Sequence, residues 1–177
     1  WTERSSQPKD LGGSKRRGIG VGLGYHGAGG RGYDGLLRIG TDGRLYIHSG
    51  VGNLGTYSYA ATCRAAAEAL QIPWERCEIV RGRSDRYLPH SSGQGGSNTI
   101  FTHTRTNWVA ALDAIAKMKE IAAMDFGGTA EDYEIGGERV FKTADSTQGL
   151  TYAEAARRAM ELGGKFSGEE YPDDINP

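Results

Sequence analysis

The stretch Pro89-His90-Ser91-Ser92-Gly93-Gln94-Gly95-Gly96-Ser97-Asn98-Thr99 runs straight into a long apolar-periodic segment. Such a junction is a glycine-rich loop opening a helix. The first turn of a helix carries backbone N–H groups without intrahelical partners, and the macrodipole adds partial positive charge there. Glycine removes the side chain, so an anionic or carbonyl-rich ligand can lie against the backbone. Two readings fit the loop on its own: a cradle for a phosphate-bearing or multi-carbonyl cofactor, and a capped surface loop.

A second loop of the same kind precedes it. Gly50-Val51-Gly52-Asn53-Leu54-Gly55-Thr56 leads into an alanine-rich segment, 57–70. Alanine favours helix, Thr56 is the expected N-cap, and Pro73 lies just beyond the stop. Between the two loops Cys77-Glu78-Ile79-Val80-Arg81 reads as a strand. Upstream, residues 33–49 read as a hairpin, because Asp42-Gly43 sits between alternating apolar runs.

The remaining elements follow from similar signals. Ile100, Trp108, Ala111, Ile115, Met118 and Ala122 define one face of a helix over 99–124, stopped by Gly127-Gly128. Tyr133 to Lys142 forms a second hairpin turning at Gly136-Gly137, and Thr151-x-x-Glu154 is a capping box opening a helix over 151–162. Gly18-Ile19-Gly20-Val21-Gly22-Leu23-Gly24 alternates glycine with apolar residues, as a strand with one naked face would. Residues 1–17 are polar and read as an extended lead-in; the tail from Lys165 reads as irregular. The expected class is α+β: a mixed sheet, two β-hairpins and three main helices.

Composition narrows the function. Glycine supplies 28 of 177 residues, about twice the usual share of roughly 7%. A net charge of −1 argues against general nucleic-acid binding. The two cysteines, Cys63 and Cys77, form neither a disulfide scaffold nor a CxxC zinc site, which points to a reducing cytoplasm. No apolar run is long enough to span a membrane. Gly22-Leu23-Gly24-Tyr25-His26-Gly27 matches GxGxxG but precedes Ala28-Gly29-Gly30, which cannot open a helix. HExxH, GxSxG and GxxxxGK[ST] patterns are absent. His90 lies in the opening loop, where two readings fit: a ligand contact and a solvated loop histidine. What remains is binding chemistry without an acid, base or nucleophile.

The order of these parts resembles the molybdenum-cofactor-binding large subunit of the xanthine oxidase family of molybdenum hydroxylases. Gly18-Ile19-Gly20-Val21, the hairpin at Asp42-Gly43, the segment from Ala66 to Pro73, the Gly93-to-Thr99 loop and the helix ending in Gly163-Gly164 each carry part of the likeness. The family's other cofactor loop reads Gly-Gln-Gly; here Gly55-Thr56-Tyr57 stands in its place.

The resemblance implies that residues 18–177 are part of one cofactor-binding domain truncated at both ends. Cofactor contacts are expected from Gly55, Thr56, Gly93, Gln94, Gly95, Gly96, Ser97, Asn98 and Thr99. The implied cofactor is molybdopterin, as a dinucleotide, with molybdenum; no protein side chain is expected to hold the metal. Implied partners are the remainder of the large subunit and subunits carrying iron–sulfur centres and FAD. The implied reaction is hydroxylation of an aldehyde or N-heterocycle with water-derived oxygen. The family's catalytic glutamate has no counterpart in this stretch, so the chain alone is expected to be inactive. The alternative is a non-catalytic relative that binds a phosphate-bearing ligand or a partner protein.

Overall fold

In the computed structural model of the chain, residues 9–30, 33–81, 85 and 88–163 are described. Residues 1–8 of the lead-in and the tail from Lys165 lie outside them.

Two small sheets flank a helical layer. The first sheet has the order β3-β4-β5, with β3 (Leu36–Ile39), β4 (Leu45–Ser49) and β5 (Cys77–Arg81). β3 and β4 pair antiparallel with Ile39 opposite Leu45. The turn between them closes through Gly43 N–H to Gly40 O, at 2.8 Å. Gly43 sits at φ 77°, where a side chain would be strained. β4 and β5 run parallel, Leu45 opposite Cys77. A parallel pair needs a long crossover. Here it is α1 (Ser58–Leu70), which ends on Gln71 in the left-handed region.

Strand β4 alternates faithfully. Leu45, Ile47 and Ser49 point inward and are fully buried. Alanines 66, 67 and 69 of α1 bury against α2 (Thr104–Phe126), whose inward face carries Ala111, Met118, Ile121 and Ala122. Small residues on the facing helices allow close approach. Full burial of Leu45, Ile47 and Leu70 stabilises the fold by about 1.5–3 kcal/mol each.

The second sheet is a meander of β6 (Tyr133–Gly136), β7 (Arg139–Lys142) and β8 (Asp145–Thr151). It leads into α3 (Tyr152–Glu161). The capping box is formed: Glu154 N–H donates to Thr151 Oγ1 at 3.2 Å, and Thr151 N–H donates to Glu154 Oε2 at 2.8 Å. Tyr152 is buried and donates its hydroxyl to Leu70 O at 2.8 Å, which ties α3 to the end of α1.

Several expectations are corrected. The lead-in is not merely extended: β1 (Lys9–Asp10) and β2 (Arg16–Arg17) pair as a short hairpin. Residues 18–24 form no strand, and Val21 and Leu23 are exposed. Among the described residues no strand lies alongside them, and a glycine-rich segment alone has no side-chain packing to hold it extended. The second hairpin turns one residue later than expected, at Gly137-Glu138, both with positive φ, in a two-residue turn. Strand β8 has no counterpart among the sequence expectations, because Asp145-Ser146-Thr147-Gln148-Gly149 carries no apolar alternation. Finally, α2 is preceded by a π-helical turn, Thr99–His103.

That turn shifts the phase of the helix. A π turn inserts one residue. His103 and Asn107 consequently lie on the buried seam, while Ile100 and Trp108, expected inside, are each 44% exposed.

Candidate functional site

The two glycine loops lie side by side, and one side chain joins them. Gln94 Nε2 donates to Gly52 O at 3.1 Å, and Gly52 N–H donates to Gln94 Oε1 at 3.2 Å. The amide imitates a strand partner across the gap.

Within the 50–56 loop, Asn53 is the organiser. Its Oδ1 accepts from Gly55 N–H at 2.9 Å and Tyr57 N–H at 3.2 Å. The N-cap of α1 is Tyr57, in the left-handed region at φ 50°, with no side-chain capping bond. Thr56 is therefore not the cap: the Asn53 carboxamide already holds the chain at this corner. Gly55, at φ 90°, faces open space. Sequence reasoning did not select Asn53. An Asn two residues before a glycine is an Asx-turn signal that could have found it.

The 93–99 loop is closed from behind and open in front. Asn98 N–H donates to Gly95 O at 3.0 Å, and Gly29 N–H donates to Gly96 O at 2.9 Å. A Cβ on Gly96 would lie 2.8 Å from Gly27 O, and Gly96 is itself at φ 58°, so no other residue fits there without strain. Asn98 and Thr99 are buried. Thr102 Oγ1 lies 2.7 Å from Asn98 Oδ1 and 2.9 Å from Gly30 O, and its one proton serves one of the two. Thr99 Oγ1 pairs with the Tyr33 hydroxyl at 2.9 Å. By contrast, Cβ atoms on Gly93 and Gly95 would meet nothing within 4 Å. Among the described residues, the N–H groups of Gly93, Gly95, Gly96 and Ser97 meet no protein acceptor.

The nine sequence candidates thus divide. Gly55, Thr56, Gly93, Gly95 and Ser97 are exposed, and Gly96 is half-buried beside them. Gln94 ties the loops together, and Asn98 and Thr99 anchor the second loop to the core. The segment 27–30, read from sequence only as a failed helix start, is the backing of this loop.

Behind both loops lies a buried polar cluster. His103 Nδ1 is 2.9 Å from Thr62 Oγ1, and Asn107 Nδ2 lies 3.1 Å from Thr62 O and 3.4 Å from His103 Nε2. The rings of Tyr33 and His103 stack with centroids 5.5 Å apart. Burial pushes the His103 pKa down to about 4. It pushes the Cys63 thiol up to about 12 and Cys77 to about 11, so neither is a ready thiolate. Among the described residues no group of three His, Cys, Asp or Glu side chains could hold a metal. His90 is exposed; its carbonyl accepts from Asp34 N–H at 2.9 Å.

A cleft of about 1290 Å³ lies elsewhere. It runs along β3 between α2 and α3, lined by all four residues Leu36, Leu37, Arg38 and Ile39 together with Val109, Met118 and Met160. Neighbouring strand residues point to opposite faces. A cleft touching all four therefore follows the unpaired edge of β3. It reaches Gly29 and Gly30 but includes no residue from 93–97. The glycine loops, with backbone donors that meet no protein acceptor among the described residues, are the better ligand site.

The model of the molybdopterin cofactor-binding domain family matches residues 1–175. The fold is also that of quinoline 2-oxidoreductase from Pseudomonas putida 86, with TM-score 0.62 and 18% identity over 82% of this chain. A copper- and molybdenum-containing CO dehydrogenase gives TM-score 0.63 and 24% identity over 74% of this chain. A reconstituted CO dehydrogenase from Oligotropha carboxidovorans gives 0.61 and 25% over 71%. The chain spans 18%, 18% and 15% of the length of those chains, respectively. No curated protein sequence matches it.

Proposed function

This chain belongs to the molybdopterin cofactor-binding domain family, and from that premise we propose that its two glycine loops hold the cofactor of a molybdenum hydroxylase acting on an aldehyde or N-heterocycle. The observation that carries the reading is the pair of tied loops in which, among the described residues, the N–H groups of Gly93, Gly95, Gly96 and Ser97 meet no protein acceptor. A polyanionic pterin needs many such donors, and backbone amides at a helix start provide them without side-chain entropy.

In this reading Gly93, Gly95, Gly96 and Ser97 donate to the pterin or its phosphate through the backbone, and Thr56 does the same from the first loop, where Gly55, its own N–H held by Asn53 Oδ1, leaves open space for the ligand. Gln94 keeps the loops at one spacing, and Asn98 and Thr99 keep the second loop from sinking or lifting. Thr56 stands where the family's motif has a glutamine, and that loss of a side-chain amide matters little to a backbone donor set. The cofactor, when bound, supplies the redox centre at which the substrate is oxidised with oxygen from water. This chain's described residues bind and orient, and one imidazole lies beside the open donors: His26 Nε2 would be 3.4 Å from a Cβ on Gly96.

The remainder of the molybdenum subunit would supply the substrate pocket and the base. It would also cover the β3 edge, the π turn and the outer face of α2, where Phe101, Trp108, Val109 and Leu112 are 44–63% exposed. Iron–sulfur and FAD subunits would carry the electrons away, a dinucleotide form of the pterin would extend past the loops, and the complex would work in the cytoplasm. No helix of the described residues is long and apolar enough to cross a membrane.

Metal analysis and pterin fluorescence on the full-length protein test the reading. Molybdenum and pterin in near-equal amounts are expected; absence of both overturns it. Aldehyde or N-heterocycle oxidation by the complete complex then separates a hydroxylase from a relative that only binds.

A further inference from the structure

The geometry points to His103 as a positioning residue that fixes the two glycine loops at a single spacing, acting in its neutral form with the proton on Nδ1. The inference rests on the cofactor reading above and deepens it.

His103 closes the π turn that follows the 93–99 loop, and Thr62 sits in α1 directly after the 50–56 loop. Their contact, 2.9 Å between Nδ1 and Oγ1, is a buried side-chain link between the two helix starts. The direction of the bond follows from its neighbours. Thr62 donates its hydroxyl proton to Tyr59 O at 3.2 Å, as a helical threonine does, so its oxygen accepts from the imidazole. Nδ1 therefore carries the ring proton and Nε2 is an acceptor. It faces Asn107 Nδ2, which also donates to Thr62 O. Turning the amide over would set Asn107 Oδ1 against the Thr62 carbonyl, so the orientation is fixed. Tyr33 covers the ring and reaches Thr99 through its hydroxyl. The cluster thus joins the helix after one loop, the last residue of the other loop, and the segment that backs it.

Two further observations show that this cluster is not ordinary core. The helix buries His103 and Asn107, at 1% and 0% exposure, while Ile100, Phe101 and Trp108 nearby are 44–55% exposed. A helix selected for packing alone would do the opposite; the π turn is what rotates His103 inward. Asn107 Oδ1 is also buried without a partner, a cost that a purely apolar seam avoids.

The ring stays neutral because burial is the sole cause acting on its pKa, lowered to about 4. Tyr33 stacks on the ring, and Cys63 approaches Asn107 at 3.9 Å. Burial holds the Cys63 thiol protonated. Protonation would turn Nε2 into a donor aimed at the Asn107 amide donor; Nδ1 would keep its bond to Thr62, and the bridge that Asn107 makes between the ring and Thr62 O would break.

The test uses full-length holoenzyme and reads pterin retention after gel filtration, at pH 7.5 and in steps down to pH 4. His103→Phe fills the space without hydrogen bonds. It is expected to lose pterin about tenfold faster at pH 7.5, since a buried bond to Thr62 is gone, and to show a flat profile below. His103→Asn keeps a donor near Nδ1 and cannot titrate. It is expected to retain pterin close to wild type at pH 7.5 and to resist the acid-induced loss. Wild-type half-times and wild-type pH profiles in both variants overturn the proposal. If His103→Phe does not fold, Thr62→Val decides: faster pterin loss supports the link, and wild-type retention overturns it. Wild-type protein without any pterin overturns instead the cofactor reading on which the proposal rests.

Discussion

His103 also sets how stability depends on acid. Folded, it titrates near 4; free in an unfolded chain it would titrate near 6.5. Between those values the unfolded state binds the extra proton, so lowering the pH favours unfolding. The neutral-ring contribution is complete above about pH 6.5 and is lost progressively as the pH falls to 4. The gap amounts to about 3 kcal/mol. Urea unfolding of the full-length protein should show a midpoint that drops between pH 6.5 and 4 in wild type and drops much less in His103→Asn. Equal drops would remove His103 as the cause. At the same scale, Gln94→Ala deletes both bonds to Gly52, each worth about 0.5–1.5 kcal/mol. It should weaken pterin retention while leaving the far-ultraviolet circular dichroism unchanged. Gln94 is legible in the sequence only as a candidate: its loop position suggests a ligand contact, and only the folded chain shows both amide atoms engaged with Gly52. Thr62 and Asn107 stay hidden in the sequence, because a buried polar network has no one-dimensional signature comparable to apolar periodicity.

Elements governed by local chemistry are the ones the sequence discloses. The Asp42-Gly43 hairpin, β5 and the Thr151–Glu154 box each depend on a few adjacent residues, and each forms where expected. Thr151→Ala should lower stability by about 1 kcal/mol, read as a fall in thermal midpoint. Thr151→Asp, which keeps an acceptor at the N-cap, should recover most of it; no difference between the two would mean the box contributes little. Elements that depend on distant partners are hidden. β8 exists because β7 offers it a ladder, with Val140 opposite Leu150, although its own residues are polar. The alternating run 18–24 makes the converse point: local pattern without a neighbouring strand yields no ladder. The π turn escapes notice because the 3.6-residue template, applied from Ile100, presumes an unbroken helical phase, and the inserted residue puts Ile100 and Trp108 on the wrong side of the seam.

At the scale of the molecule, the fold leaves a large apolar surface uncovered. Phe101 in the π turn and Trp108, Val109 and Leu112 on the outer face of α2 are 55%, 44%, 63% and 46% exposed. The β3 edge opens onto the neighbouring cleft. Contiguous apolar surface of this kind marks an interaction site on a stable protein and a self-association site when its partner is missing. An unpaired strand edge adds hydrogen-bonding groups that another chain can satisfy. The 177-residue chain spans only 15–18% of the molybdenum proteins it resembles, so a covering surface from the rest of such a subunit fits the exposed face. Purified by itself, this chain should therefore associate, giving a light-scattering mass above 19.0 kDa that grows with concentration. Val109→Lys with Leu112→Glu places opposite charges on that face one turn apart, compatible with the helix. The pair should restore a monomer without changing helix content. In the full-length protein the same pair should impair assembly and lower the yield of pterin-loaded enzyme, because the face is then buried against its own subunit. A clean monomer of the unaltered chain, together with normal loading of the doubly substituted enzyme, would show that the α2 face stays open to solvent in the assembled protein.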